Sequence, residues 1–286
     1  MQSITACLIV RNESKVIERC LKSVKDVDNI VVLDTGSTDS TPEICIKNKA
    51  KVYYDVWRDN FAEARNKALE YCTSDWIISI DADEYVTPGT IKFIREFIKK
   101  NKGNVFTCYV RTGDTLSIQP RIFRNNPTKI YWKGAAHNYI NYAADKHINI
   151  EITSTSEGYS HKNDPDRGIR ILRKSLEKDP NAIREMYYLG LEYKQRCQYE
   201  IAIFWLLESF DTYPNPETKA EIMLSAAKCY IHLKRIRKAI NCLHESIKIN
   251  PSNRECYTLL GLLTKKPIYA AFAKQVKQEQ VAIREI

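Results

Sequence analysis

The sequence predicts an α/β domain built on a mixed sheet, followed by an all-α repeat domain. Three observations carry that prediction. Residues 4–103 alternate short β-rich runs with amphipathic helical patterns, as chains do when a parallel sheet is covered by helices. After residue 103 the helical patterns give way to β-rich runs in closer succession, which read as mixed or antiparallel strands. From about Asp164 the strand signal stops and one pattern recurs at a shift of 37 residues.

The elements follow in order. "TACLIV" is a strand, and in "SKVIERCLKSV" the residues Val16, Ile17, Cys20, Leu21 and Val24 share one helical face. "NIVVLD" is a second strand, "TPEICIKNKA" a helix with Pro42 suited to its first turn, and "AKVYYDV" a third strand. "NFAEARNKALEYC" is helical, with Phe61, Ala64, Ala68, Leu69 and Cys72 expected inward. "DWIISID" is a fourth strand and "GTIKFIREFIKK" a fourth helix. "VFTCYVR", "PRIFR", "KIYWKG" and "INIEITS" complete the sheet.

In the second half, "YLGLEYKQRCQYEIAIFWLLESFDTYP" and "SAAKCYIHLKRIRKAINCLHESIKINP" align residue for residue. Gly190 matches Ala227, Tyr193 matches Tyr230, Ala202 matches Ala239, and Leu206 matches Leu243. Ser209 matches Ser246 and Pro214 matches Pro251. Small residues where helices cross, and a Pro closing each second helix, resemble tetratricopeptide repeats. One helix pair cannot bury its apolar face alone, so stacked neighbours supply the core. The expected domains are 1–163 and 164–286.

Composition excludes several classes. With 44% hydrophobic and 28% charged residues the 286-residue chain is globular rather than disordered. No run approaches the roughly 20 apolar residues of a membrane helix, and the N-terminus reads as a strand rather than a signal peptide. Nine scattered cysteines without a C-x-x-C pattern point to buried thiols and a cytoplasmic protein. Residues 1–161 carry 22 Lys and Arg against 20 Asp and Glu, while residues 162–286 carry 22 against 15. That excess suits an acidic partner surface, yet it is dispersed along helices, so nucleic acid is not expected. Nothing signals an oligomeric state, and a homo-oligomer stays open.

The stretch "WIISIDADEYV" runs an apolar strand straight into Asp81, Asp83 and Glu84. Ligands of open α/β sheets bind beyond the carboxyl ends of the strands. Two aspartates one residue apart there can turn toward a hard cation such as Mg²⁺ or Mn²⁺, which binds through one or two carboxylates plus phosphate oxygens. An ordinary strand-to-turn ending with solvated acids fits the same pattern.

Four motifs in order, "LIVRNESKVIERCLKSV", "IVVLDTGSTDSTPEI", "FAEARNKAL" and "DWIISIDADE", resemble the family 2 glycosyltransferases of GT-A fold over roughly residues 4–161. "PRIFRN", "YWKGAAHNYI" and "EGYSHKN" resemble the branch in which that domain leads directly into helical repeats. The resemblance implies metal-dependent, inverting transfer of a sugar, with hexosyl transfer expected, from a UDP-linked nucleotide-sugar to a peptide, protein or glycan acceptor, which the repeats could dock. It implies that Arg11, Asn12 and Glu13 border the base and that Asp34 accepts the uracil N–H. Arg65 would face the nucleotide, and Asn66 completes the same motif. Asp81 would touch ribose or the metal, and Asp83 would ligate the metal with His161. Arg121 and Arg124 would steady phosphates or acceptor. Asp39 fits a helix cap as well as a ligand contact.

Relatives carry His-Glu where this chain reads His137-Asn138, so the general base expected from the family is missing. His137, Asp114 and Glu84 are the candidate replacements; a thiol acceptor would need less base assistance. A GT-A remnant that binds without turnover, its repeats serving as a protein-binding module, is the alternative. A nucleotidyltransferase ranks behind both, because no Gly-rich triphosphate loop follows the first strand. Neither G-x-S-x-G nor a P-loop is present.

Overall fold

The computed structural model describes residues 2–158 and 164–276. The chain divides into two compact units, one running to Pro165 and one from Asp166 onward.

The first unit is an eight-stranded mixed sheet. Strands β1 (Ile4–Val10), β2 (Asn29–Asp34), β3 (Lys51–Tyr54) and β4 (Trp76–Ser79) are parallel, in the order β3-β2-β1-β4. β6 (Val105–Thr112) and β7 (Thr115–Arg124) form a hairpin whose second strand pairs antiparallel with β4. β10 (Lys146–Ser154) lies parallel to β6, and the short β5 (Glu84–Val86) closes the order as β4-β7-β6-β10-β5. Helices α1 (Ile17–Ser23), α2 (Thr41–Lys47) and α4 (Thr90–Lys100) contribute to one core, with Ile4, Ala6, Leu8 and Val10 of β1. Helix α3 (Phe61–Leu69) contributes to the other, with Cys7, and so does the small hairpin of β8 (Trp132–Lys133) and β9 (Tyr139–Ile140). This alternation along β1 is the two-residue period of a strand buried on both faces.

Two details differ from the sequence reading. On α3 it is Ala62 and Arg65 that are buried beside Ala64, Ala68 and Leu69, while Phe61 is half-buried against Trp57. The second is β5, where the sequence reading assigned no element. Five residues from Ser79 to Glu84 reach at most about 17 Å, whereas four strand spacings across a flat sheet need about 19 Å. The connection is also partly a turn, with Glu84 N donating to Asp81 O at 3.0 Å. The sheet must therefore curl, bringing β5 and β10 back beside the end of β4.

All nine cysteines are free, and seven are buried. Among the described residues no helix is long and apolar enough to cross a membrane.

The second unit is helical throughout its described residues: α5 (Arg167–Lys178), α6 (Ile183–Gln195), α7 (Tyr199–Phe210), α8 (Pro216–His232), α9 (Ile236–Ile249), α10 (Arg254–Thr264) and α11 (Pro267–Gln275). The residues matched by the repeat are the packing residues: Ala202, Ala239, Leu206, Leu243, Ser209, Ser246 and Ala227 are all fully buried. The turns match as well. Cys197 and Lys234, again 37 apart, both adopt the left-handed conformation, and Gln198 and Arg235 each donate back to a Tyr carbonyl, Tyr193 and Tyr230. At Gly190 a Cβ would stand 2.7 Å from Leu206 Cγ and 3.0 Å from its backbone nitrogen, so α6 and α7 cross there without room for a methyl group.

Gly190→Ala sets two effects against each other. Alanine gains about 1 kcal/mol of helix propensity, but overpacking against backbone costs about 1–3 kcal/mol. The clash should win, lowering the melting midpoint of the repeat unit in calorimetry; an unchanged or raised midpoint would contradict a crossing at this residue.

Candidate active site

Strand ends β1, β2 and β4 bring the site together, since Val10 pairs with Asp34 and Cys7 with Ser79 in adjacent parallel strands. The loops after β1 and β2 are sewn to one another. Asn12, at φ +56°, accepts from Thr38 N at 2.6 Å and donates its own N–H to Ser37 Oγ at 2.9 Å. Glu13 N donates to Thr41 Oγ1 at 2.8 Å. Asp39 accepts from Thr41 N and Ser14 N at 3.0 and 3.2 Å, so it pins α2 to the first loop. Burial of Asp39 raises its carboxyl, and the hydrogen bonds from Ser14 and Thr41 outweigh that and hold it below the ordinary value.

Asp34 is 1% exposed. Its Oδ1 accepts from Gly36 N at 2.8 Å and Ser37 N at 2.7 Å, a turn that needs the positive φ of Gly36. Its Oδ2 is buried and has no hydrogen-bond partner among the described residues. A buried acceptor left in that state is the feature a ligand N–H would satisfy.

Beyond β4 the acids meet two arginines. Arg65, from α3, donates from Nη2 to Asp81 Oδ1 at 2.6 Å and from Nη1 to Ser79 Oγ at 3.0 Å, and its guanidinium lies 4.8 Å from the Trp132 ring. Arg121, from β7, donates to Glu84 Oε1 at 2.6 Å and reaches Asp81 Oδ2 at 3.4 Å. Glu84 Oε2 accepts the backbone N–H of Asp81 at 2.8 Å. Burial pushes both acids up. For Asp81 the two guanidinium charges outweigh it and hold the carboxyl well below the usual range. For Glu84 burial wins and, with the charges of Asp81 and Asp83 against the pull of Arg121, the carboxyl rises to about 7. The same acids push Arg121 upward against its own burial.

Asp83 is buried, and its carbonyl accepts from Thr155 N and Oγ1 at 3.2 and 3.1 Å, just past β10. A Cβ at Gly158 would stand 3.4 Å from both carboxylate oxygens of Glu13 and 3.6 Å from Asp83 Oδ2, so these two acids border the same small space. Hard carboxylate oxygens from one or two residues are the donor set Mg²⁺ or Mn²⁺ takes alongside phosphate. Among the described residues no group of three or more His, Cys, Asp and Glu is arranged to hold a metal. His161 lies outside the described residues.

The expected site residues are placed as follows. Asp81 faces the guanidinium groups of Arg65 and Arg121 with its two oxygens. Glu13 borders the same space as Asp83, Asn12 holds the two loops together, and Arg11 is exposed at their rim. Asp114 is exposed in the β6–β7 turn, roughly 23 Å along β7 from Arg121 at about 3.3 Å per residue. The structure does not bring it to the acids. Arg124 covers the Trp76 ring at 4.7 Å and donates to Gly103 O, a packing role. His137 is exposed in the β8–β9 turn at φ +47°. Ser79 and Trp132 were missed; both read as ordinary strand residues, and only the fold reveals that they hold Arg65. A cleft of about 670 Å³ opens elsewhere along α3, between Glu63, Asn66, Lys67, Lys133 and Gly134, and none of the expected ligand residues lines it.

The model of Glycosyl transferase family 2 matches residues 5–161. The chain belongs to glycosyl transferase family 2. This family 2 chain is 32% identical over 240 residues to the SPbeta prophage-derived glycosyltransferase SunS of Bacillus subtilis, covering 74% of this chain and 54% of the relative. It is 39% identical over 132 residues to a TPR repeat-containing protein of Synechococcus elongatus, covering 44% and 33%. The chain thus spans about half the length, or less, of these curated relatives. Among solved structures, S. aureus TarS 1–349 in complex with UDP-GlcNAc aligns over 96% of this chain and 88% of that one, at 16% identity and a TM-score of 0.46. Glucosyl-3-phosphoglycerate synthase from Mycobacterium tuberculosis, with Mn²⁺ and UDP, aligns over 38% and 44% at 26% identity and a TM-score of 0.35.

Burial of Glu84 sets the sign of a pH dependence. Because its carboxyl is raised from 4.5 to about 7, the folded chain holds a proton in that interval which the unfolded chain has released. Its contribution to stability is present below about pH 4.5 and is lost as pH rises through about 7. Asp81, depressed below 3.8, acts in the reverse sense and only in stronger acid. Relative to Glu84→Gln, the wild-type melting midpoint should fall from about pH 5 to about pH 8; a difference that is flat or rises over that range would contradict this arrangement.

Proposed function

We propose that this chain transfers a sugar from a UDP-linked donor to a peptide, protein or glycan acceptor, with inversion and with Mg²⁺ or Mn²⁺ held at Asp83. The observation that carries the reading is the pairing of Asp34 Oδ2, a buried acceptor without a partner, with the acids beyond β4 two strands away on the same sheet edge. An acceptor-only carboxylate suits the imide N–H of uracil. Two strand spacings of about 4.8 Å each separate the ends of β2 and β4, which leaves a nucleoside on one side and a diphosphate on the other.

Asp83 is the proposed metal ligand, Glu13 borders the same space, and His161 is the further ligand that the family resemblance implies. The metal supplies charge neutralisation at the departing diphosphate. Arg65 and Arg121 keep Asp81 ionised and fixed, and Arg121 through Glu84 fixes the Asp81–Glu84 turn that carries Asp83. The acceptor attacks the anomeric carbon from the face opposite the diphosphate, and a base near the acceptor takes its proton. Glu84 is unsuited to that task because both its oxygens already accept hydrogen bonds, and Asp114 lies far along β7. His137 is the proposed base, and a thiol acceptor would need the least help from it.

Calorimetry with UDP and Mn²⁺ tests the reading directly. Uptake should depend on the metal and weaken at least about tenfold in Asp83→Asn, which is about 1.4 kcal/mol, and UDP should be released from a UDP-sugar in the presence of an acceptor. UDP uptake indifferent to both manganese and the substitution would refute it. Metal-dependent uptake without release from any common donor would favour the binding-module alternative.

A further inference from the structure

Asn66 makes contacts that none of the proposed ligand roles explain. Its side-chain Nδ2 donates to Trp132 O at 2.9 Å while its Oδ1 accepts from Trp132 N at 2.8 Å. A primary amide offers a donor and an acceptor side by side, the pattern a neighbouring strand would present. Asn66 therefore acts as one more rung on β8.

That rung matters because β8 and β9 are two residues each, and a two-stranded hairpin is marginal by itself in water. Two contacts fix this hairpin to α3. Phe61 N donates to Ala135 O at 2.8 Å at the start of the helix, and Asn66 grips Trp132 more than one turn later. Asn141 closes the base of the hairpin, its Oδ1 accepting from Tyr131 N and its N–H donating to Tyr131 O. With the hairpin in that register the Trp132 ring covers the guanidinium of Arg65, whose Nε is buried and has no hydrogen-bond partner. The same hairpin carries His137 at its turn.

We propose that Asn66 and Trp132 are positioning residues, a latch that holds the β8–β9 turn in register with the Arg65–Asp81 pair. The inference rests on the sugar-transfer reading for its effect on rate, and goes beyond it by assigning a role to two residues to which that reading gives no donor or acceptor contact. The latch puts acceptor-side His137 and donor-side Asp81 on one frame, with α3 as the shared member. Among the described residues the Asn66 side chain bonds only to the β8 backbone, and Asp34, Glu13 and Asp83 stand on other elements, so donor uptake does not depend on the Asn66 rung. Reaction geometry does: a misplacement of about 1 Å can cost about 100-fold in rate.

Three variants of the full chain test this. Asn66→Ala should lower kcat about 10- to 100-fold while UDP affinity, measured with Mn²⁺, stays within about threefold; Trp132→Leu, which also uncovers Arg65, should lower kcat at least as far. Trp132→Phe keeps a ring over Arg65 and should recover most of the rate lost in the leucine variant. Unchanged kcat in Asn66→Ala, or kcat and UDP affinity falling together, would overturn the latch. Amide hydrogen exchange needs no turnover and separates this failure from failure of the sugar-transfer reading. Exchange across residues 131–141 should accelerate in Asn66→Ala relative to wild type. If it does not, the latch is wrong whatever the enzyme transfers; if it does while the wild type takes up no UDP, the latch stands and the donor reading falls.

Discussion

Two guanidinium groups and two carboxylates meet at the end of β4, all but Asp81 buried, and the geometry of the α/β unit depends on their staying together. Arg121 and Glu84 are 5% and 3% exposed. Bringing ions into such a place costs several kcal/mol each, and their attraction offsets that only when geometry and hydrogen bonding are good. Here Glu84 satisfies a guanidinium with one oxygen and the Asp81 amide with the other, so the turn and the ion pair are fixed by one side chain. The network is nevertheless imperfect. Arg65 Nε and Arg121 Nε are both buried without partners, and each such donor forgoes about 1–3 kcal/mol. A set of apolar residues would pack this space at lower cost. Charges retained there despite that cost are better explained by what they hold in place, which is the turn carrying Asp83.

The curl of the sheet is what makes the network possible. Arg121 comes from β7, beside β4, but Glu84 opens β5, which pairs with β10 at the far edge. Only a sheet that bends back on itself brings both edges of the turn within reach of one guanidinium. Thr155, one residue past β10, then ties the Asp83 carbonyl to the same returning edge. Asp83 is thereby held from both sides of the turn, with its backbone already anchored, which reduces the ordering that binding a cation would otherwise require.

Much of this was legible in the residues, and the parts that were not share a cause. The parallel strands β1, β2 and β4 carry continuous apolar runs that only a doubly covered strand tolerates, and the repeat unit shows its packing residues at a constant spacing. Asp83 could be singled out because acids at a strand end are conspicuous, and Asp34 through the family resemblance. β5 was missed because three residues, Glu84-Tyr85-Val86, have no periodicity to read, and their strand character comes entirely from β10. Arg65 was expected to face the nucleotide, and nothing in its own helix showed that it is buried against Asp81, Ser79 and Trp132, which are 16, 14 and 67 positions away. Long-range pairing of charges leaves no local trace, so sequence offered the acids without saying which of them were already matched.

Backbone conformation separates the same two kinds of region. Among the non-glycine residues with positive φ, Lys49, Cys197, Lys234 and Lys265 follow the ends of α2, α6, α8 and α10, where a left-handed residue closes the last turn by bonding back to helix carbonyls. Asn12, Asp59, His137 and Ser156 do not end helices. Asn12 joins the β1 and β2 loops, Ser156 follows the residue that anchors Asp83, and Asp59 accepts the Trp57 indole N–H ahead of α3. A left-handed non-glycine residue costs about 1 kcal/mol or more and persists when its surroundings over-determine it. His137 meets that condition through its flanks, since Ala135 is bonded to Phe61 and Tyr139 lies in the ladder opposite Lys133. The turn is thus held from both ends in a conformation its own residues disfavour, which is how a short exposed loop can present one side chain in a fixed direction.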